Sequence, residues 1–151
     1  MDFFPSFEVF NENLVQKRNQ VIFTKFSADL DTPVSTYLKL CKKQENSFLL
    51  ESVQDGTHRG RYSIIGLEPD IIWKCEQGIA FKKILARNDN QFIKESKKPL
   101  LSLQALINNS KIDLPSHLPP MSAGLIGYLG YETVEQYEKL PDRKLNKINT
   151  P

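Results

Sequence analysis

Apolar positions along this chain repeat with two different periods, and the switches between them mark out its elements. Phe3, Phe4, Phe7, Val9, Phe10 and Leu14 give a loosely helical spacing in the first segment. Residues 20–28, QVIFTKFSA, are rich in β-branched and aromatic side chains, which pack well on a pleated surface, and they predict a strand. A helix follows. Asp31 or Thr32 can cap it, because a side-chain oxygen accepts from the free N–H groups of the first turn. Pro33 suits the first helical position, where its missing N–H costs nothing. Val34, Tyr37, Leu38 and Cys41 then fall at i, i+3, i+4 and i+7, a single amphipathic face. Lys42 and Lys43 stand in the last turn, where the helix dipole favours cations.

Two strands are predicted next, over 47–53 and 61–67, joined by a polar loop, and Pro69 ends the second. The stretch DIIWKCEQGIAFKKILA predicts another hairpin turning at Gln77 and Gly78. Residues 86–99 are polar and read as a loop, whereas 100–110 return to helical spacing. Residues 111–120 carry three prolines and read as an extended connector. The segment 121–141 opens as a glycine-rich strand and continues as a short helix. Strands thus come as hairpins with helices between them. This pattern predicts an α+β domain of antiparallel sheet with packed helices. The final PDRKLNKINTP carries no stop signal of its own, which fits the end of a domain and a cut within a longer protein equally.

Composition narrows the class. The 151 residues suit one domain, and a domain of this size is expected to bury roughly 70% of its unfolded surface. With 40% apolar and 25% charged residues, the make-up is that of an ordinary globular protein. A net charge of +2, without a basic stripe, argues against nucleic acid as a partner. Cys41 and Cys75 have no metal-like spacing and read as reduced thiols. The start MDFFPSFEVF lacks a basic n-region, and no apolar run has the length of a membrane helix. The expected setting is the cytoplasm, with no membrane contact.

Within the first of the two hairpin strands, SFLLESV, a carboxylate and a hydroxyl interrupt an apolar run. Alternation puts Ser47, Leu49, Glu51 and Val53 on one face, and Phe48, Leu50 and Ser52 on the other. Both faces are otherwise apolar, so the strand is expected to be buried on both sides. A carboxylate and a hydroxyl there need partners. One solution is internal, with Arg59 or Arg61 on the returning strand pairing with Glu51. The other is a zwitterionic ligand, whose ammonium Glu51 would accept and whose polar end Ser52 would bond.

Other constellations carry less. GLIGYLG has glycines at 124, 127 and 130, which matches neither phosphate-binding fingerprint, and we reject nucleotide binding there. The even spacing argues instead for a strand approached closely by another backbone. His58 and His117 lack partners at metal-ligand spacing. No serine sits in a nucleophile-elbow context, and Glu132, Glu135 and Glu138 read as one solvated helix side. No paired carboxylates suggest acid–base work. The chain does not read as a complete enzyme.

FLLESV and GRYSIIGLEP, preceded by TPVSTYLKL, resemble the N-terminal part of anthranilate synthase component I. LPPMSAGLIGYLGYETVEQYEKLPD resembles the same family's glycine-rich segment, in matching order. The resemblance runs from about residue 20 to the C-terminus and implies the N-terminal part of that family's fold. Members convert chorismate to anthranilate in tryptophan synthesis. They use Mg²⁺ and ammonia delivered by a glutamine amidotransferase subunit, component II, and tryptophan inhibits them by binding near the LLES element. Carried over residue by residue, this implies tryptophan contacts for Glu51 and Ser52 and a weaker candidate in Arg61.

Equally, the resemblance implies what residues 1–151 lack. The family's motifs for chorismate and Mg²⁺ belong to a C-terminal region, so neither catalytic residues nor a metal site is expected here. Residues 1–151 are expected to form the N-terminal regulatory region, with a tryptophan pocket that the missing part would complete. Two alternatives share some of these features: the related aminodeoxychorismate synthase component I of the folate pathway, and a non-catalytic tryptophan-binding module or inert fragment.

Overall fold

The computed structural model describes residues 2–42, 44–52, 62–85, 91–119 and 121–139. The chain divides into two compact units, one made of residues 26–72 and 83–91, the other of 1–25, 73–82 and 92–151. Three α-helices and two small antiparallel sheets make this an α+β protein.

In the unit formed by 26–72 and 83–91, helix α2 (Pro33–Cys41) packs on the hairpin of β1 (Phe48–Glu51) and β2 (Ser63–Gly66). The helix begins as the sequence predicts. Thr32 Oγ1 accepts from the Ser35 N–H, Ser35 Oγ accepts from the Thr32 N–H, and Pro33 opens the first turn. Asp31 accepts from Ser35 Oγ and pairs with Lys39. Those two hydrogen bonds, Lys39 first, hold its carboxyl below the usual aspartate range. At the other end Tyr37 Oη and Ser47 Oγ lie 3.1 Å apart, tying α2 to the chain entering β1. The strands pair Phe48 with Gly66, Leu49 with Ile65, Leu50 with Ile64 and Glu51 with Ser63. Glycine is needed at 66 because the Phe48 ring lies over it, and a Cβ there would sit 2.2 Å from the ring carbons.

In the other unit, α1 (Phe7–Val15) is followed by a return of the chain to a single bridge between Phe4 and Phe23. The Phe4 and Phe23 rings stack at 5.3 Å, and the His117 ring tilts against Phe23 at 5.2 Å. The strands β3 (Ile71–Glu76), β4 (Ile79–Ile84) and β5 (Ile93–Lys94) form a sheet in that order, of which residues 73–76, 79–82, 93 and 94 belong to this unit. Its β3–β4 hairpin turns at Gln77 and Gly78, as expected. Both residues have positive φ, 50° and 75°, which a tight two-residue turn matched to strand twist requires. Helix α3 (Pro99–Asn109) follows β5, and a 3₁₀ helix spans Tyr131–Gln136.

Four expectations are corrected. Residues 20–28 form one bridge rather than a strand, since Phe4 alone offers them a pairing partner. The interval 86–99 holds β5, because Phe81 and Lys82 pair with Lys94 and Ile93. No strand forms over 124–130. The fourth concerns burial: among the described residues only Cys41, Ala80, Pro99 and Ser102 are buried. Val34 and Leu38, on the apolar face predicted for α2, remain 48% and 57% exposed. A nine-residue helix on two four-residue strands covers too little area to close a core.

Candidate functional site

Glu51 is the last residue of β1, opposite Ser63, and Ser52 follows it directly. Both are exposed, and Leu50 beside them is 43% exposed, so the expected burial of this strand on both sides is not found. The reason is local: β1 pairs with β2 alone, and the strands end here. Neither the Glu51 carboxylate nor the Ser52 hydroxyl makes a hydrogen bond or ion pair with a described residue. Val53, His58, Arg59 and Arg61 lie outside the described residues, so the internal ion pair and the Arg61 contact both fall there. What is placed is a carboxylate and a hydroxyl with no side-chain partner among the described residues, adjacent in sequence, at the loop end of a hairpin. The carboxylate can accept two or more hydrogen bonds and the hydroxyl can donate one and accept others.

A second cluster was invisible in the sequence. Trp73 Nε1 donates to Ser102 Oγ at 3.0 Å, and Ser102 Oγ donates to Glu95 Oε2 at 3.3 Å. The second oxygen of Glu95 meets Lys82 Nζ at 3.0 Å. These residues, with Lys97 and Asn109, line a cavity of about 150 Å³. Strand pairing brings Lys82 and Glu95 together, and α3 supplies the buried Ser102. Beside it, Lys74 Nζ bonds Glu76 at 2.7 Å and lies 4.2 Å from the Phe92 ring centre. No motif spacing could have revealed this chain of contacts, because Trp73 and Ser102 are 29 residues apart. The four groups satisfy one another, as a structural clamp requires.

Among the described residues, no three His, Cys, Asp or Glu side chains come together as a metal site, and no helix is long and apolar enough to cross a membrane. In the glycine-rich segment, a Cβ at Gly124 or Gly127 would meet nothing within 4 Å.

The described residues form an α+β segment with an accessible carboxylate and hydroxyl adjacent at a hairpin end. Comparison of the sequence with known proteins gives the particular family. The chain is 42% identical over 147 residues to anthranilate synthase component 1 of Cereibacter sphaeroides, covering 97% of this chain and 29% of that protein. It is 37% identical to the protein of the same name from Synechocystis, over 89% of this chain and 26% of the relative. The Thermus thermophilus protein is 35% identical over 83% of this chain and 25% of its own length. The chain corresponds to the N-terminal segment of the anthranilate synthase component 1 family and spans about a quarter of these relatives' length. No family model matches it, and no solved structure does. The designation "component 1" of the relatives implies a further component in their assembly.

Proposed function

We propose that residues 1–151 are the N-terminal, tryptophan-sensing segment of an anthranilate synthase component 1, a lyase converting chorismate to anthranilate. The observation that supports this is the match of 97% of the chain to a protein of that name, with Glu51 and Ser52 exposed within it and without a side-chain partner among the described residues. Glu51 would accept from the ammonium of tryptophan, and Ser52 would bond its polar end. Arg61 is a further candidate for the ligand's carboxylate. Binding of a charged amino acid by such groups depends on water being excluded around them, which the polypeptide outside this segment would supply.

The remaining parts of the reading follow from the family. Chorismate and Mg²⁺ would be held by the polypeptide beyond the matched segment. The residues described here do not fit a Mg²⁺ site, so no step of the reaction is assigned to them. The further component would be a glutamine amidotransferase supplying ammonia, and the assembly would work in the cytoplasm. On this reading the segment is inactive by itself.

The test is Ser52→Phe in the full-length polypeptide. Ser52 is exposed and directly follows β1, so a bulky ring there would occupy the place proposed for the ligand's polar end. Turnover of chorismate is expected to stay within about twofold of the parent, while the tryptophan concentration for half-inhibition rises at least about tenfold. Lost turnover with unchanged inhibition would overturn the assignment.

A further inference from the structure

The residues 125–130, LIGYLG, have no role that the described structure explains. Leu125, Ile126, Tyr128 and Leu129 are 42, 40, 72 and 69% exposed. Read as a strand, the two faces would carry Leu125, Gly127 and Leu129 on one side and Ile126, Tyr128 and Gly130 on the other. Both faces are therefore apolar, the pattern of a strand covered on both sides. Residues 125–130 nevertheless form no turn, bend or bridge. No backbone N–H of 125–129 bonds the backbone of another described residue.

Gly127 sharpens the point. Gly124 has φ +142°, which by itself favours glycine. Gly127 has no such backbone, and a Cβ built on it would meet nothing within 4 Å. Glycine inside an apolar, strand-like run usually marks the close approach of another backbone or ligand. The space kept clear at 127 is unused by the described residues, so its occupant lies elsewhere.

We infer that 125–130, up to the start of the 3₁₀ helix at Tyr131, is a β-strand completed by strand addition, its partner being a strand of the polypeptide that continues past the matched segment. This rests on the reading of the chain as the N-terminal part of a longer component 1. Two observations select that occupant over others. The chain covers only 29, 26 and 25% of the relatives' length, so most of the polypeptide that could pack here lies outside it. The run also lies near the C-terminal side of the match, and strands adjacent in sequence are roughly two-thirds of the time neighbours in a sheet. Main-chain hydrogen bonds would supply the pairing, and side chains on both faces would be covered at the same time.

Hydrogen–deuterium exchange on the full-length polypeptide tests this. The amides on one edge of 125–130, every second residue, are expected to exchange at least about a hundredfold more slowly than in an unstructured chain. The protection is expected to be the same at low and high protein concentration. Exchange of all of these amides near the unstructured rate would overturn the proposal. Protection that disappears on dilution would also overturn it, by assigning the strand to a second copy. Anthranilate formation and its inhibition by tryptophan are assayed on the same preparation. Unprotected amides in an active, tryptophan-inhibited sample sink the strand pairing alone. Protected amides in a preparation that makes no anthranilate sink the proposed function and leave the pairing standing.

Discussion

Two clusters of polar side chains in this protein treat water in opposite ways. Around Trp73, groups drawn from β3, β4, α3 and the residue after β5 converge on one another, with Ser102 buried between an indole N–H and a carboxylate. At the end of β1, Glu51 and Ser52 stand in solvent with no partner among the described residues. A polar group that leaves water must be met by another, or the fold loses the cost of stripping it. The first cluster obeys that rule internally and so reports on stability. The second has its hydrogen-bonding capacity unspent among the described residues, and a ligand or a neighbouring part of the polypeptide can use it. Polar residues in apolar runs therefore carry different meanings, and their partners tell which.

The comparison can be broken most forcefully at Ser102. Replacing it by Ala leaves the Trp73 N–H without its acceptor and takes a donor from Glu95. The cost is expected to be about 1–2 kcal/mol, at the lower end for a buried group because the adjoining cavity has room for water. Hydrogen exchange of the β3 and β4 amides in the full-length polypeptide measures it, as a roughly five- to thirtyfold loss of protection. No change would mean that the cluster is an incidental contact.

Gly66→Ala is expected to act next in size, and in the hairpin that carries Glu51. The added Cβ would lie 2.2 Å from the Phe48 ring, so the ring must swing away from its place over the strand. Overpacking of this kind costs typically 1–3 kcal/mol. Because the atoms to be moved are the far end of a half-buried side chain, about 1 kcal/mol is expected. Exchange of the β1 and β2 amides should quicken accordingly, while β3 to β5 stay unchanged. Equal loss in both sheets would show that the two regions do not respond separately.

How much of this could be seen beforehand depended on the distance over which each signal acts. The α2 start at Thr32, Pro33 and Ser35 and the Gln77–Gly78 turn were legible because capping and turn chemistry are local. β5 was missed because two residues, Ile93 and Lys94, become a strand only by lying beside β4. Residues 20–28 and 124–130 have the composition of strands, but composition does not supply a partner. Glu51 and Ser52 stand out by their break in an apolar run, although burial on both faces, the reason for singling them out, does not hold in this structure. The Trp73–Ser102–Glu95–Lys82 chain escaped notice altogether, since nothing in its spacing distinguishes it from unrelated polar residues.

The smallest effect on the fold is expected at the other pole of the comparison, and it is the most telling. Glu51→Gln keeps the shape of the side chain and removes its charge. Since the carboxylate has no described partner and stands in solvent, protection of the β1 and β2 amides should change by less than the equivalent of about 0.5 kcal/mol, the usual range for surface substitutions. Tryptophan inhibition should respond quite differently. A hydrogen bond to a charged group is worth about 1.5–3 kcal/mol, so losing the carboxylate that meets the ammonium should raise the half-inhibiting concentration about tenfold or more. The pairing of the two measurements matters more than either alone. A stability loss of 1–2 kcal/mol with normal inhibition would place Glu51 in a structural ion pair, the same kind of role that Glu95 plays beside Lys82. An unchanged fold with weakened inhibition would mark the end of β1 as the place where this segment reads its ligand.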